Sequence, residues 1–471
     1  MLDDAPAPTG DSLAVHADAL GFSRRRLLGS ALAAGTTAAA AGLLPGFGAA
    51  ARAASPGPSP DIPPAPVPIF DDPDLTFQCL FAFGAAASGA SEFGEVATAV
   101  HRIKAQDERY SAYYAEFAAL ARRTTGLARD AESRQDWATA RGAYLRAATY
   151  YAQALFFVLA TTRPTRAHER EVYRAMRDRW QRAGRLMNPA MQNVALPWNG
   201  PNGPMPGWFL RPSARREARP TLIMNNGSDA QAIDLWSAGG HDALARGWNV
   251  LIFDGPGQGG MLFERNQTFI PQWERVITPI VSWLRKRPDV DPDRIAITGS
   301  SFGGGLVPRA MAFERRIAAF SADPGVVNPS STWTAALPAF FLQQLRDGQR
   351  AQLNAEWAGF IKGASANERF NLAKRLEIYP GTDFFDQLKA IVQFDYRNVI
   401  PRIRRPGLVI DNEIEQFFPG QPGQMYRALR SRPKRLVKFT VAEGAQYHCE
   451  PMAPTFRNAV VLDWLSDVVV R

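Results

Sequence analysis

Two adjacent serines stand among glycines in the stretch RIAITGSSFGGG, residues 294–305. A serine that acts as a nucleophile on a sharp strand-to-helix turn needs small residues two positions before and after it, because neighbouring backbone crowds those positions. Gly299 and Gly303 flank Ser301 in this way, whereas a threonine and a phenylalanine would flank Ser300. The competing interpretation is a glycine-rich loop whose serines have no chemical role. The apolar run before the serines and the helical pattern after them favour Ser301 as a nucleophile.

A serine nucleophile also needs a base, and on an open α/β sheet the order along the chain is serine, acid, histidine. Only one of the five histidines, His448, follows Ser301. It lies in EGAQYHCEP, between the last predicted strand and the last predicted helix. We predict that His448 takes the proton of Ser301 and later returns it to the leaving group. The alternative is a surface or capping histidine without a catalytic role.

The third group would be an acid that accepts the N–H of His448, fixes its tautomer and stabilises the imidazolium. The loop DNEIEQFFPG follows the apolar run PGLVI and offers Asp411, Glu413 and Glu415. Glu415 is favoured because it stands four residues before the proline of that loop, a common place for such an acid. Glu413 is the second choice and Asp411 the third. Asp323 follows the strand after the nucleophile and is a further alternative.

An oxyanion hole requires two backbone N–H groups that point at the developing negative charge. We expect one from Phe302, the residue after the nucleophile. The other is expected from Ser228 in the loop NNGSDA, where Gly227 lets the backbone turn. The neighbouring stretch FDGPGQGG carries one reactive group, Asp254, which precedes the serine and is therefore interpreted as structural.

The candidate site residues stand mostly at the ends of short apolar runs. Helical stretches separate most of these runs. Runs of this kind indicate buried parallel strands, and the carboxyl ends of such strands carry the active sites of open α/β folds. The runs are RPTLIMNNG, NVLIFDGPGQGG, RIAITGSSFGG, IAAFSADPG, RPGLVIDNE and RLVKFTV. We predict an α/β catalytic domain over residues 191–471, closed by the amphipathic helix FRNAVVLDWLSDVVV. Residues 328–405 show no clear strand and are predicted to form a helical lid insertion.

The part of the chain before the strands has a helical pattern. Residues 75–190 place apolar and aromatic residues at spacings of three and four, as in RGAYLRAATYYAQALFFVLA. This predicts an all-helical cap domain. A pair of tetratricopeptide repeats is the alternative, but no second copy stands at a period of 34 residues.

The first residues resemble a twin-arginine export signal. SRRRLLGS is followed by an alanine-rich run and by a small-x-small site, Ala51–Ala53. The run is broken by Pro45, which makes a membrane span the weaker interpretation. We expect residues 1–53 to direct the protein to the periplasm or the extracellular space, and residues 54–74 to form a proline-rich linker.

The composition excludes several classes of partner. The net charge of +9 comes mostly from arginines scattered among acids, without a basic tail, so no nucleic-acid partner is expected. No histidine or cysteine spacing suggests a metal site, and no cofactor is expected. Cys79 and Cys449 are too few for a disulfide framework, and unpaired thiols are favoured over a single bridge. The sequence leaves a homodimer open.

The motifs FDGPGQGG, GSSFGGG, EQFFPGQ and EGAQYHCEP, after a helical region with AATYYAQALFF, resemble α/β hydrolases with an N-terminal helical cap. That family includes 2,6-dihydroxypseudooxynicotine hydrolase, fungal polyketide-shortening pigment hydrolases and related esterases. The resemblance covers residues 75–471 and implies a triad of Ser301, Glu415 and His448, with a cap that helps to form the substrate site. It also implies hydrolysis of an ester, or of a C–C bond next to a ketone, in an apolar small molecule. The alternatives are an acylaminoacyl-type peptidase and a catalytically silent binding protein.

Overall fold

The computed structural model of the chain describes residues 69–470. The predicted export signal, 1–53, and residues 54–68 of the predicted linker lie outside the described residues. Two further residues of the predicted linker, Ile69 and Phe70, are buried. The first helix begins at Pro73, two residues before the predicted start of the cap, because Asp72 accepts a hydrogen bond from the backbone N–H of Leu75 and so caps it.

Five α-helices make up the N-terminal helical region. They are α1 (Pro73–Gly84), α2 (Phe93–Lys104), α3 (Tyr110–Ser133), α4 (Trp137–Phe156) and α5 (Arg166–Arg185). Buried alanines on α3 and α4 let these two long helices pack closely. On α3, the ring of Tyr113 stacks on that of Phe117 and also contacts Phe157, the residue that follows α4. The region therefore has a core of its own that also joins the core of the sheet.

The sheet has eight strands in the order β1-β2-β4-β3-β5-β6-β7-β8. The first two strands are antiparallel to their neighbours, and the other six are parallel. The strands are β1 (Gln192–Leu196), β2 (Met205–Leu210), β3 (Arg219–Asn225), β4 (Asn249–Phe253), β5 (Val290–Ser300), β6 (Ala319–Asp323), β7 (Gly407–Asn412) and β8 (Lys434–Phe439). The six parallel strands coincide with the six predicted apolar runs, and the predicted α/β sheet, mostly parallel and flanked by helices, is confirmed.

Strands β1 and β2 were not predicted. They form a hairpin at one edge of the sheet, around a turn rich in proline and glycine. Pro206 and Gly207 lie inside β2, and both residue types are rare in strand interiors. A Cβ at Gly207 would lie 2.7 Å from Leu196 Cδ1, so the strand has glycine where the hairpin is too crowded for a side chain.

Helices flank the sheet and connect its strands. Those that precede the insertion are α6 (Ala232–Leu235), α7 (His241–Ala245), α8 (Gly259–Phe263), α9 (Glu274–Leu284) and α10 (Gly303–Met311). The predicted insertion, 328–405, contains no strand and holds α11 (Ser331–Thr334), α12 (Ala339–Arg346), α13 (Arg350–Gly363), α14 (Ala366–Leu376) and α15 (Phe384–Ile391). The chain ends with α16 (Gln421–Ala428) and α17 (Pro454–Val469).

The insertion packs directly against the N-terminal helices. The ring of Phe370 on α14 stacks on Phe157, with ring centroids 5.4 Å apart. A buried ion cluster joins the same two regions, because Lys374 Nζ lies 3.7 Å from Glu169 and 2.6 Å from Glu377. The N-terminal helices and the insertion therefore cover the same end of the sheet, at the carboxyl ends of the parallel strands.

Candidate active site

The backbone turn that carries Ser301 joins β5 to α10. Ser301 has a φ of 57°, a left-handed conformation that is unfavourable for a residue with a side chain. A Cβ at Gly299 would lie 2.2 Å from the carbonyl oxygen of Gly303, and a Cβ at Gly303 would lie 2.7 Å from another backbone oxygen. The glycines two positions before and after Ser301 are therefore required by the close approach of backbone, as the sequence pattern suggested.

Three of the predicted site residues form a hydrogen-bonded chain. The Oγ of Ser301 lies 2.9 Å from Nε2 of His448, and Nδ1 of His448 lies 2.9 Å from each carboxylate oxygen of Glu415. Oε1 of Glu415 also accepts the backbone N–H groups of Phe417 and Phe418, each at 3.0 Å. His448 and Glu415 are 3% and 7% exposed. The carboxylate is thus held in place by backbone on one side and directed at the imidazole on the other.

The other three candidate acids have different surroundings. Asp411 is half-buried on β7, where burial raises the pKa of its carboxyl group. Glu413 is exposed and accepts the backbone N–H of Val441 at 2.8 Å. Asp323 is fully buried and accepts a hydrogen bond from Nε of Arg457 at 2.8 Å. Among the four predicted acids, the structure brings only Glu415 into contact with His448.

Ser300, the second serine of the motif, has no comparable contact. It is the last residue of β5, and its Oγ is buried without a hydrogen-bond partner within residues 69–470. The two adjacent serines therefore differ sharply, because only Ser301 reaches the imidazole.

The predicted oxyanion loop lies against the nucleophile. A Cβ at Gly227 would lie 2.6 Å from Cβ of Ser301, so this position has room only for glycine. The N–H of Gly227 donates to Oδ1 of Asn226 at 2.9 Å and is thereby occupied. Within the described residues, the N–H groups of Ser228 and Phe302 donate to no protein acceptor. These two predicted donors are thus available to a ligand.

A buried ion cluster lies behind the histidine loop. Nε of Arg457, on α17, donates a hydrogen bond to Asp323 at the end of β6 and lies 3.5 Å from Oε2 of Glu450. Burial, together with the nearby Asp323, raises the pKa of the Glu450 carboxyl well above its usual range. The backbone oxygen of Asp323 accepts the N–H of Ser301 at 2.6 Å. The cluster connects the nucleophile turn, the histidine loop and the last helix. Glu450 and Arg457 were not predicted from the sequence.

Asp254, which the sequence analysis assigned a structural role, is buried in the loop after β4. Its Oδ2 accepts the hydroxyl of Tyr173 and the backbone N–H of Gly260, each at 2.7 Å. Burial raises the pKa of its carboxyl group. Because Tyr173 lies on α5, this aspartate ties the N-terminal helices to a loop beside the site.

A cavity of about 200 Å³ lies over Ser301 and His448. Of the five aromatic residues in the helical stretch RGAYLRAATYYAQALFFVLA, Phe156 and Phe157 line this cavity. The tyrosines of this stretch make contacts within the helical region. The hydroxyl of Tyr150, for example, donates to Glu95 at 2.7 Å. The aromatic walls come from four parts of the chain, namely Phe77 and Phe81, Phe156 and Phe157, Trp333 and Tyr379, and Phe417 and Phe418.

The wall residues from α1 and from the insertion were missed by sequence reasoning. The ring of Phe417 meets the imidazole of His448 edge to face at 4.7 Å, and Phe77 lies 6.5 Å from the same ring. Arg375 of α14 places its guanidinium 5.3 Å from the centroid of Phe417. Aromatic rings from several segments therefore line the cavity together with polar and charged side chains such as Asp74, Asn371 and Arg375.

Residues 69–470 contain neither a cluster of metal ligands nor a helix that could cross a membrane. No three His, Cys, Asp or Glu side chains gather there in a way that could hold a metal ion. None of the helices in that range is both long and apolar enough to cross a bilayer. Cys79 and Cys449 are free thiols, and Cys449 places its Sγ 3.5 Å from the backbone oxygen of Asp323.

Comparison with known proteins agrees with this architecture. The hydrolase acrC of Aspergillus aculeatus is 30% identical over 392 residues, which cover 79% of this chain and 90% of that protein. The chain belongs to the α/β-hydrolase family, as the sequence resemblance predicted, and these relatives are named hydrolases. No protein-family model matches it.

Other relatives match over shorter spans. Hydrolase LUC6 of a Fusarium species is 29% identical over 58% of this chain, and the α/β hydrolase ucsC of an Acremonium species is 30% identical over 52%. The chain spans 66% and 53% of the lengths of these two proteins. The crystal structure of 2,6-dihydroxy-pseudo-oxynicotine hydrolase superposes with a TM-score of 0.60 at 20% identity, covering 82% of this chain and 96% of that one. That likeness establishes the fold.

Proposed function

We propose that the protein is a serine hydrolase whose nucleophile, base and acid are Ser301, His448 and Glu415. The observation that carries this proposal is the pair of 2.9 Å contacts that join Oγ, the imidazole and the carboxylate. In the first step His448 removes the proton of Ser301 while Oγ attacks a substrate carbonyl carbon. Glu415 accepts the Nδ1–H and stabilises the imidazolium that forms.

The attack converts the carbonyl oxygen into an oxyanion. The N–H groups of Phe302 and Ser228 are proposed to bind it, because both residues line the cavity over Ser301 and neither N–H has an acceptor in the described chain. The imidazolium of His448 then gives its proton to the leaving group. His448 then removes a proton from a water molecule, which attacks the acyl carbon, and Oγ of Ser301 leaves and takes up the proton that the imidazolium returns.

The proposed substrate is an apolar or aromatic small molecule, which the aromatic walls of the cavity favour. The bond cleaved is an ester, or a C–C bond next to a ketone. In the second case the leaving group is a carbanion stabilised as an enolate, which His448 would protonate. Among the relatives, one is named 20-hydroxy-prefusarin hydrolase, and the superposed structure is that of 2,6-dihydroxy-pseudo-oxynicotine hydrolase; both names describe action on small organic molecules.

Two alternatives are disfavoured by particular observations. A peptidase of the acylaminoacyl type normally carries a β-propeller before its catalytic half, whereas residues 73–185 of this chain are helical. A silent binding protein has no need for a serine in the left-handed conformation, which costs about 1–2 kcal/mol, nor for a buried carboxylate directed at a histidine.

Labelling with a fluorophosphonate probe tests the reaction class, and a panel of substrates tests whether an ester or a C–C bond is cleaved. We expect covalent labelling of Ser301 in the wild-type protein, followed by turnover of aryl esters, aryl β-diketones or both. Absence of labelling together with absence of turnover on both sets would reject the serine-hydrolase proposal.

We also propose export by the twin-arginine route, which SRRRLLGS and the alanine-rich run after it support. Replacing Arg24 and Arg25 with lysine should leave the precursor in the cytoplasm of a bacterial host that has this route. Export that continues unchanged would reject the proposal. A lysine substitution outside the pair, Arg52→Lys, serves as the control for the change in residue type.

A further inference from the structure

Gln258 is almost completely buried in the loop between β4 and α8, with 1% of its surface exposed. Its Nε2 donates to the backbone oxygen of Asn226 at 2.7 Å and to that of Gly227 at 3.1 Å. Its Oε1 accepts the backbone N–H of Gly255 at 3.0 Å. This one side chain therefore bonds both its own loop and the loop that follows β3.

The surroundings of Gln258 fix the orientation of its amide group. The backbone N–H of Gly255 requires an acceptor opposite it, and the two backbone oxygens require a donor. Rotation of the amide by 180° would place like groups against each other at all three contacts. The side chain can therefore only donate to the turn of residues 226–227.

The bond to Gly227 determines the direction of the next N–H group. The carbonyl of Gly227 and the N–H of Ser228 belong to the same planar trans peptide, in which the two groups point in opposite directions. Because Gln258 holds the carbonyl, the Ser228 N–H faces away from Gln258, and residue 228 lines the cavity over Ser301. The N–H of the preceding peptide is bound by Asn226 and is unavailable.

We propose that Gln258 is a positioning residue that orients the Ser228 N–H toward the oxyanion. This inference rests on the proposed serine-hydrolase function and names a residue that acts through the peptide of Gly227 and Ser228. Removing an oxyanion donor costs about 10²–10³-fold in kcat, and a peptide that is free to rotate should lose part of that. The ground-state substrate binds mainly through the aromatic walls, so its binding should be little changed.

The test compares Gln258→Met with a matched control, Gln267→Met. Gln267 lies in the same segment, is buried, and donates to the backbone oxygen of Pro201 instead of to the turn beside the nucleophile. We expect Gln258→Met to lower kcat on an aryl ester about 10–100-fold with KM within about threefold of wild type, while Gln267→Met changes neither by more than about threefold. Inhibition by an aryl trifluoromethyl ketone, whose hemiketal with serine carries an oxyanion, should weaken in parallel with kcat.

Wild-type kcat and inhibition in a folded Gln258→Met would overturn the inference while leaving the serine-hydrolase proposal intact. A wild-type protein without labelling or turnover would overturn both. If Gln258→Met does not fold, Gln258→Glu keeps the volume of the side chain. Its ionised form has no donor, and its protonated form has one. The ratio of its kcat to that of wild type should therefore rise severalfold from pH 8 to pH 6, since burial raises the pKa of a carboxyl group. A ratio that does not change with pH would also overturn the inference.

Discussion

Both carboxylate oxygens of Glu415 lie 2.9 Å from Nδ1 of His448. The glutamate stands three residues beyond the end of β7, and the backbone N–H groups of Phe417 and Phe418 hold one of its oxygens. The loop thus folds back onto this carboxylate and directs it at the imidazole.

Glu415→Gln should reduce kcat on an aryl ester by about 10⁴-fold, because the amide can present an N–H to Nδ1 and so favour the wrong tautomer of His448. The matched control is Glu413→Gln, which changes an exposed glutamate in the same loop. Its kcat should stay within about threefold of wild type. Steady-state kinetics of both purified variants measure the difference, and the reverse pattern would assign the acid to Glu413.

Gly227→Ala should lower kcat on an aryl ester by about 10²-fold without unfolding the protein. The new methyl group would lie 2.6 Å from Cβ of Ser301 and 3.0 Å from the backbone oxygen of Ser300, so the turn or the nucleophile must shift. A displacement of about 1 Å can cost on the order of 10²-fold in rate. Gly126→Ala is the control, because its methyl group meets no atom within 4 Å and lies inside α3. Kinetics and thermal denaturation should show a loss of rate only in the first variant, and equal rates would contradict the described packing.

Phe156→Ala tests whether the N-terminal helices form part of the substrate site. Phe156 lines the cavity, whereas its neighbour Leu155 is buried elsewhere in the helical region. We expect Phe156→Ala to raise KM for a bulky aryl ester about tenfold, through the loss of roughly 1.5 kcal/mol of apolar contact, and to leave an aryl acetate nearly unaffected. Leu155→Ala should lower the thermal stability without this dependence on substrate size. Equal effects of the two variants on both esters would count against a substrate-binding role for the helical region.

The parallel part of the sheet could be predicted because its strands are buried on both faces and are continuously apolar. The hairpin of β1 and β2 could not, since β1 is short with a single buried residue and β2 contains Pro206 and Gly207. These two strands depend on pairing with β4 and with each other rather than on their own composition. Tertiary pairing of this kind leaves little trace in a local pattern.

The predicted site residues also differ in how far the nearby sequence could identify them. Ser301 could be chosen from its neighbours, because the crowding that requires Gly299 and Gly303 is local. The choice among four acids depends on how one loop folds, and the sequence could only rank them. Gln258 and Arg457 could not be identified, because Gly227, which accepts from Gln258, and Asp323, which accepts from Arg457, lie 31 and 134 residues away along the chain. The two consecutive asparagines before Gly227 are the one local sign of the hydrogen-bonded turn that Gln258 completes.

The central claim is that Ser301 is the nucleophile of a serine hydrolase, and fluorophosphonate labelling of paired alanine variants tests it most directly. Ser301 touches His448, whereas the adjacent Ser300 has a buried hydroxyl without a partner in the described chain. We predict that Ser301→Ala eliminates labelling and lowers turnover by about 10⁴–10⁶-fold, and that Ser300→Ala retains both. Labelling that persists in Ser301→Ala and disappears in Ser300→Ala would contradict the account.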